Sequence, residues 1–443
     1  MKTDQHLPTS HVDIIRLAIP IILANAAVPL LGLVDIAVIS HTGRAADLGA
    51  IALGSLVFSF VYWSFGFLRM GTSGFTAQAA GANDWPQVRL AFSRAFLLGA
   101  LMGLLLLLLQ QPLLWLALQL LDGSADVKAG LADYWHWRIW GAPACLANYA
   151  LMGTLIGLGK TRQLLWLQLL LNGVNLLLDI VFVAVIGWGV SGIALGTAMA
   201  EWICFVVGLG LVWQQLKPAI GEPFLRRKAL LHRQAFFNTL KVNTDIFWRT
   251  LSLLFGFAWF VNQGASFGDI TLAANHILLQ FISFSAFFLD GYAFALESLV
   301  GRALGAKRRD LLDRVILVST QIAGANAFGL MLILLLAGPA AIAALTPIVE
   351  VQNQAQQFLP FAAVYVLLSF AAFQLDGIFI GATRSRALRN AGILSLAIFL
   401  LLAWWWAGVY GNAGLWCAFI SYVVARAVCL GIYLPGLRRE SGK

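Results

Sequence analysis

Charged side chains are scarce in this sequence. Asp, Glu, Lys and Arg make up 11% of its 443 residues, whereas soluble domains carry about 25%. Hydrophobic residues account for 60% of the chain, and nearly uninterrupted apolar runs recur along it, for example at 97–109 and 393–403. These runs lack the strict alternation of strands, so they predict membrane-crossing helices. The composition excludes a soluble protein and predicts an all-α integral membrane protein.

Cysteine and clustered acidic residues are also rare. The cysteines lie in apolar runs without metal-ligand spacing, so we expect no disulfide, metal or cofactor. No Asp-Asp-x-x-Asp cluster occurs, which argues against a prenyl transferase that would hold magnesium on a diphosphate. The segment from Thr154 to Thr161 lacks the first glycine of a phosphate loop, which argues against nucleotide binding. We expect a transporter driven by an ion gradient, with no catalytic residues.

The net charge of +9 does not indicate nucleic-acid binding, because Lys and Arg cluster in alternate loops between the apolar runs. If the amino terminus is cytoplasmic, only Arg44 and Lys128 fall on the outer side, and Arg138, Arg249 and Arg426 lie within spans. This positive-inside pattern predicts that both termini lie in the cytoplasm.

Twelve spans are predicted, six on each side of a basic segment. They lie near residues 13–40, 48–69, 89–110, 131–158, 164–186, 191–214, 234–262, 271–300, 312–337, 355–381, 387–409 and 413–435. The segment between the groups contains two prolines and Arg226-Arg227-Lys228. We expect an N-lobe (1–214), a cytoplasmic linker (215–233) and a C-lobe with a short cytoplasmic tail (234–443).

An internal repeat supports this division. The segment Gly153–Gly157, followed by Arg162, is matched 224 residues later by Gly377–Gly381, followed by Arg386. Nearer the ends of the halves the offset is 222, since Gly189 and Gly192 match Gly411 and Gly414. Halves with an even number of spans enter the membrane in the same orientation. The repeat predicts two pseudo-symmetric six-helix bundles that alternate access to a central cavity.

The first span combines Pro20 with an acidic residue, Asp35. Proline lacks a backbone N–H and clashes with the preceding turn, which predicts a kink. A carboxylate is expensive in lipid and should face protein or water. A coupling acid is one interpretation, and a structural kink with an acid reaching the surface is the other.

A second polar group lies in the fifth and sixth spans. Asn172, Asn175 and Asp179 share one helix face, and Thr197 in the next span can lie nearby. The matching positions of the second half are apolar: Phe399 for Asn175, Ala403 for Asp179 and Trp259 for Asp35. Such residues can simply pack helices together. Two acids, an amide and a proline in one bundle favour a cation-coupling site.

At Pro20, Asp35, Asn175, Asp179 and Thr197 the sequence resembles the multidrug and toxic compound extrusion (MATE) transporters, which share the MATE/MOP-type fold. The resemblance covers all predicted spans. It implies export of organic cations or amphiphilic drugs by proton or sodium antiport, with coupling in the N-lobe.

The stretch from Asp376 to Arg384 is typical of the DinF-like branch of that family. Where related members carry a tyrosine one turn before the first-span aspartate, this chain has Leu31. The acids that sodium-coupled relatives carry in the C-lobe have no clear match either. This puts sodium coupling through that lobe in doubt.

Other intramembrane charges allow several interpretations. Asp290 and Glu297 share a face of the eighth span; they can line a substrate cavity, as can Asn172 and Asp376, or pair with Arg302. Asp245 and Arg249, four residues apart in the seventh span, predict a local ion pair. Glu201 has no evident partner in the sequence.

The sequence therefore predicts a monomeric secondary antiporter of a bacterial inner membrane, whose partners are small drugs and the lipid bilayer, with no nucleic acid. In the expected mechanism, protonation of Asp35 bends the first helix at Pro20 and expels substrate. The alternatives are sodium coupling and a flippase for a lipid-linked precursor.

Overall fold

The computed structural model describes residues 9–27, 45–217, 230 and 232–440. Within these ranges the chain is built of helices and contains no strand. In chain order the helices are α1 (His11–Ala26), α2 (Ala45–Ser64), α3 (Phe67–Gly81), α4 (Trp85–Leu108), α5 (Gln110–Leu120), α6 (Ala125–Arg138), α7 (Ala142–Gly157), α8 (Thr161–Asp179), α9 (Gly189–Leu216), α10 (Arg233–Ala265), α11 (Asp269–Gly305), α12 (Arg309–Leu345), α13 (Val349–Gly381), α14 (Ser385–Gly431) and α15 (Leu434–Glu440). A 3₁₀ turn, Ile139–Gly141, links α6 to α7, and a π-helical turn, Ile180–Val185, follows α8.

Nine helical stretches of the described chain are long and apolar enough to cross a membrane. One of them, Ser385–Arg439, holds the last two predicted spans, because Gly411 interrupts α14 with a positive φ of 58°. The seventh predicted span lies within α10. The first is described only as far as residue 27. The helices agree with the predicted all-α membrane fold.

The predicted span 131–158 differs from a single continuous helix. α6 ends at Arg138, the 3₁₀ turn follows, and α7 begins at Ala142. Pro143 is in the first turn of α7, where its missing N–H leaves no intrahelical bond unmade. The proline therefore explains why a new helix begins here.

The described chain forms two compact units. Unit N comprises Leu23–Ala80 and Asp84–Thr239, and unit C comprises the described residues up to Ile22, Gly81–Asn83 and those from Leu240 onward. In unit N, α4 packs on α7, and α9 packs on α6, α7 and α8. In unit C, α13 packs on α11, α12 and α14. The lobe and linker boundaries given by the sequence stay a prediction.

Close helix contacts recur in the two units at the predicted interval. In each unit, two glycines four residues apart lie against carbonyl oxygens of a neighbouring helix, and a Cβ atom at any of these glycines would overlap that backbone. The pairs are Gly153 with Arg69, Gly157 with Ser73, Gly377 with Ala293 and Gly381 with Glu297. Each glycine of unit N, and the residue that it faces, has its counterpart 224 residues later in unit C. The same helix pair therefore packs in the same way in each unit.

Candidate functional site

One face of α8 carries polar side chains into the interior of unit N. Asn175 and Asp179 are both 0% exposed, and Asn172 is half-buried. The α-helix ends at Asp179, and the following six residues, Ile180–Val185, form the π-helical turn. Such turns are rare and are frequent at functional sites. The polar face thus ends at an irregularity of the backbone.

Asn175 is joined to α9 by a buried hydrogen bond. Its Nδ2 donates to Thr197 Oγ1 over 3.0 Å, and the hydroxyl in turn donates to the carbonyl oxygen of Ile193 over 2.9 Å. The threonine hydroxyl therefore serves as acceptor and donor at once. This arrangement fixes the direction in which the Asn175 amide points.

Asp179 also lies against α9, at Gly196, the residue before Thr197. A Cβ atom on Gly196 would overlap Asp179 Oδ1, so this carboxylate occupies space that any larger residue at position 196 would claim. The structure thus brings together Asn175, Asp179 and Thr197. Asp35 lies outside the described residues, so its convergence with them stays a prediction.

Pro20 lies inside α1, and its side chain is buried. The boundary between the two units falls two residues later, between Ile22 and Leu23. Within unit C, the same stretch packs on Gly291 of α11, where a Cβ atom would overlap the Ile22 side chain. The weak point that proline creates in helix 1 therefore sits next to a close helix contact.

Asn172 contacts the end of α1. Its Nδ2 donates to the carbonyl oxygen of Ala27 over 2.7 Å, and its Oδ1 accepts from Gln168 Nε2 over 3.3 Å. The side chain predicted to line a substrate cavity is thus engaged by helix 1 and by its own helix.

The matching region of unit C is aromatic. Phe399 and Phe419 are both 0% exposed, and their rings meet edge to face at 5.8 Å. Phe399 matches Asn175 at an offset of 224, and Phe419 matches Thr197 at the offset of 222 that aligns the glycines before these spans. A contact between two phenyl rings therefore stands where unit N has the amide–hydroxyl bond. Ala403, which matches Asp179, is buried in the same core.

Asp376 lies in a buried ion cluster of unit C. Its Oδ2 accepts from Arg426 Nη2 over 2.9 Å and also from Nη2 of Arg249. All three side chains are at least nine-tenths buried and come from different helices, α13, α14 and α10. This residue, predicted to border a substrate cavity, thus joins three helices.

The predicted local pair of Asp245 with Arg249 is wrong. Asp245 instead accepts from Arg389 Nη1 over 2.6 Å and from Ser385 Oγ over 2.8 Å, both on α14. Arg249 turns to α13 because the buried carboxylate of Asp376 needs a counter-charge there.

The other two acids of the predicted cavity lie on α11. Glu297 is 0% exposed, and Asp290 is half-buried. The choice between cavity lining and pairing with Arg302 stays open for both.

Glu201 has the partner that sequence reasoning missed. Its carboxylate accepts two hydrogen bonds from Arg138, at 2.8 and 2.6 Å, and both side chains are buried. The guanidinium also lies over the rings of Phe58 and Tyr62, at 5.3 and 5.2 Å. The available signal was opposite charge: Arg138 and Glu201 both lie within predicted spans of the first half of the chain, and burial of either requires compensation.

The polar group around Asp179 offers carboxylate, amide and hydroxyl oxygen atoms. This set can receive a proton or a small hard cation. Among the residues that the structure describes, no group of three or more His, Cys, Asp and Glu side chains is arranged to hold a metal ion.

Comparison with known proteins identifies the family. The MatE family model matches residues 20–181 and 252–405. DNA damage-inducible protein F of Escherichia coli (strain K12) is 35% identical over 94% of this chain and 90% of its own length. Probable multidrug resistance protein NorM of Bacillus subtilis (strain 168) is 23% identical over 99% of this chain and 98% of its own length.

Solved structures share the fold. The bent form of the Vibrio cholerae MATE transporter VcmN superposes with a TM-score of 0.85 at 21% identity and covers 97% of each chain. A MATE protein in its bent conformation gives a TM-score of 0.87 at 20% identity, with both chains fully covered. The chain therefore belongs to the MatE family of multidrug and toxic compound transporters, and it is a multi-pass transporter of the inner membrane rather than an enzyme.

Proposed function

We propose that this protein exports cationic or amphiphilic drugs in exchange for protons, and that coupling takes place in unit N at Asp35, Asn175, Asp179 and Thr197. The observation that supports the proposal most directly is the buried group of Asn175, Asp179 and Thr197. Burying a polar cluster in a membrane interior costs free energy, so the presence of such a cluster favours a functional role. Its counterpart in unit C has been replaced by phenyl rings.

Protonation of Asp35 drives the cycle. A neutral carboxyl no longer needs polar partners, so the proton releases helix 1 to bend at Pro20, where its hydrogen-bond ladder is already weakened. The bent form must be the one that binds the proton more tightly, because a ligand shifts an equilibrium only by its differential affinity. The bent segment then fills part of the cavity and drug leaves.

The residues predicted to border the drug cavity are Asn172 of unit N and Asp290, Glu297 and Asp376 of unit C. The carboxylates of Asp290 and Glu297 favour a cationic substrate, whereas that of Asp376 is already shared by Arg249 and Arg426. The relatives named probable multidrug resistance protein NorM support small-molecule substrates. The proposal also includes a monomeric state and two cytoplasmic termini. It divides the chain into an N-lobe (1–214), a cytoplasmic linker (215–233) and a C-lobe (234–443).

The test is ethidium transport in proteoliposomes under an imposed proton gradient, and then under a sodium gradient with no pH difference. Export driven by the proton gradient alone is the expected result. Export driven by the sodium gradient alone would overturn proton coupling, and no export under either gradient would overturn drug antiport.

Matched variants locate the coupling site. Asp179→Asn removes the buried carboxylate, and we expect proton-driven export to fall at least tenfold. Asp269→Asn makes the same change at an exposed position in the first turn of α11, and export should stay unchanged. Equal rates for the two variants would refute coupling through Asp179.

A further inference from the structure

Helix α1 is held to α8 by one polar side chain at the point where the helix ends. α1 stops at Ala26, and the carbonyl oxygen of the next residue, Ala27, accepts a hydrogen bond of 2.7 Å from Asn172 Nδ2. Asn172 Oδ1 accepts from Gln168 Nε2 over 3.3 Å. We name the group of Gln168, Asn172 and the Ala27 carbonyl the α1 latch.

A helix end explains why such a contact is needed. The carbonyl groups of the last turn of a helix have no intrahelical donor. In a membrane interior an unmet carbonyl is costly, so a donor from a neighbouring helix stabilises the position of this end.

Both ends of the Asn172 amide are used, and this fixes its orientation. Rotation of the amide by half a turn would place its NH₂ group against the Gln168 NH₂ group and its oxygen against the Ala27 oxygen. Neither of those arrangements makes a hydrogen bond. The latch therefore holds only while α1 and α8 keep their present relation along this contact.

We propose that Asn172 is a positioning residue that ties the shape of helix 1 to the coupling site. The proposal rests on the proposed function. Asn172 lies on the same face of α8 as Asn175 and Asp179, three and seven residues before them. A movement of α8 at that face displaces Asn172. A bend of helix 1 after Pro20 displaces the Ala27 carbonyl to which Asn172 is bonded. The latch favours the form of helix 1 seen in this structure over the other form by about fivefold, the usual effect of one hydrogen bond.

The experiment is hydrogen–deuterium exchange of the α1 peptide in the full-length purified protein, between pH 5 and 9. Asn172→Leu keeps the volume of the side chain but removes both hydrogen bonds. We expect the amides of the last turn of α1 to exchange about fivefold faster. The pH at which helix 1 changes form should move by about 0.7 units, the logarithm of the same factor. Asn326→Leu, the same substitution at a half-buried position of α12, is the control and should leave α1 unchanged.

Two further measurements keep the proposal open to refutation. Gln168→Leu removes only the orienting bond, so it should change α1 exchange in the same direction and by less, and it should add nothing to Asn172→Leu. Ethidium export by Gln168→Leu, which leaves the Asn172 side chain in place, should lose kcat with little change in KM.

Unchanged α1 exchange in folded Asn172→Leu would overturn the latch. If that variant does not fold, unchanged exchange in Gln168→Leu would overturn it instead. If the parent protein exports no drug but the exchange differences appear, the proposed function fails and the latch stands.

Discussion

Replacement of Asp376 by Asn should destabilise unit C far more than removal of Arg249, one of the two arginines that it binds. Asp376 shares a single carboxylate oxygen between Arg249 and Arg426. In Asp376→Asn the two guanidinium groups stay buried and repel each other without that counter-charge. In Arg249→Met the pair of Arg426 and Asp376 remains, at 2.9 Å, and is neutral as a pair.

The magnitudes follow from burial. Removing one partner of a buried ion pair costs about 3–5 kcal/mol, because the other charge is left uncompensated. Asp376→Asn leaves two buried guanidinium groups without this counter-charge, so we expect a loss of at least about 3 kcal/mol. Arg249→Met keeps most of the packing volume and leaves no unpaired charge, so a loss of about 1 kcal/mol is expected.

Thermal unfolding of the purified protein, followed by tryptophan fluorescence, separates the two variants. At about 2–4 °C per kcal/mol for a unit of this size, Asp376→Asn should lower Tm by at least about 6 °C and Arg249→Met by about 2–4 °C. The double variant, which removes one charge of each sign, should recover part of the loss. Equal Tm values for the two single variants would show that charge balance does not govern this cluster.

Three other substitutions test the site in unit N and helix 1. Gly196→Ala should displace the Asp179 carboxylate and reduce ethidium export about tenfold, while Gly210→Ala, whose Cβ has open space, should export normally; equal rates would contradict the contact. Glu201→Gln leaves the Arg138 guanidinium without a counter-charge and should lower unfolding stability by about 3 kcal/mol, and a second change, Arg138→Met, should restore most of it if charge is the cause. Pro20→Ala should raise Tm, since an interior proline costs a helix about 3 kcal/mol, yet slow export while proton release on drug addition persists; wild-type export by this variant would refute the bending step.

The fold was largely predictable because its signals are local. Apolar runs of span length, basic loops on alternate sides and glycines at a constant offset each act within one segment or repeat. The break at Gly411 and the start of α7 near Pro143 follow from residue chemistry of the same local kind.

The site was predictable only where spacing along one helix reveals a shared face. Asn175 and Asp179 were found in this way. The ion pair of Arg138 with Glu201, and the pairing of Arg249 with Asp376 rather than Asp245, depend on which helices are neighbours in space. Composition and periodicity do not contain that information, and an arginine is long enough to reach several candidate acids.

The paired glycine contacts have a consequence for how the two halves have diverged. Each glycine contacts the carbonyl oxygen of the residue that it faces, so this backbone contact places no demand on the side chain of that facing residue, although Gly153 and Gly157 also lie close to the side chains of Thr72 and Thr76. The residues found there illustrate this freedom: Arg69 in one half stands where the other has Ala293, and Ser73 where the other has Glu297. A duplicated scaffold held in this way can keep its geometry while one copy retains polar chemistry and the other fills with aromatic rings. Exchange of side chains between the halves at these facing positions should therefore leave the helix spacing intact, whereas exchange of a glycine for any other residue should not.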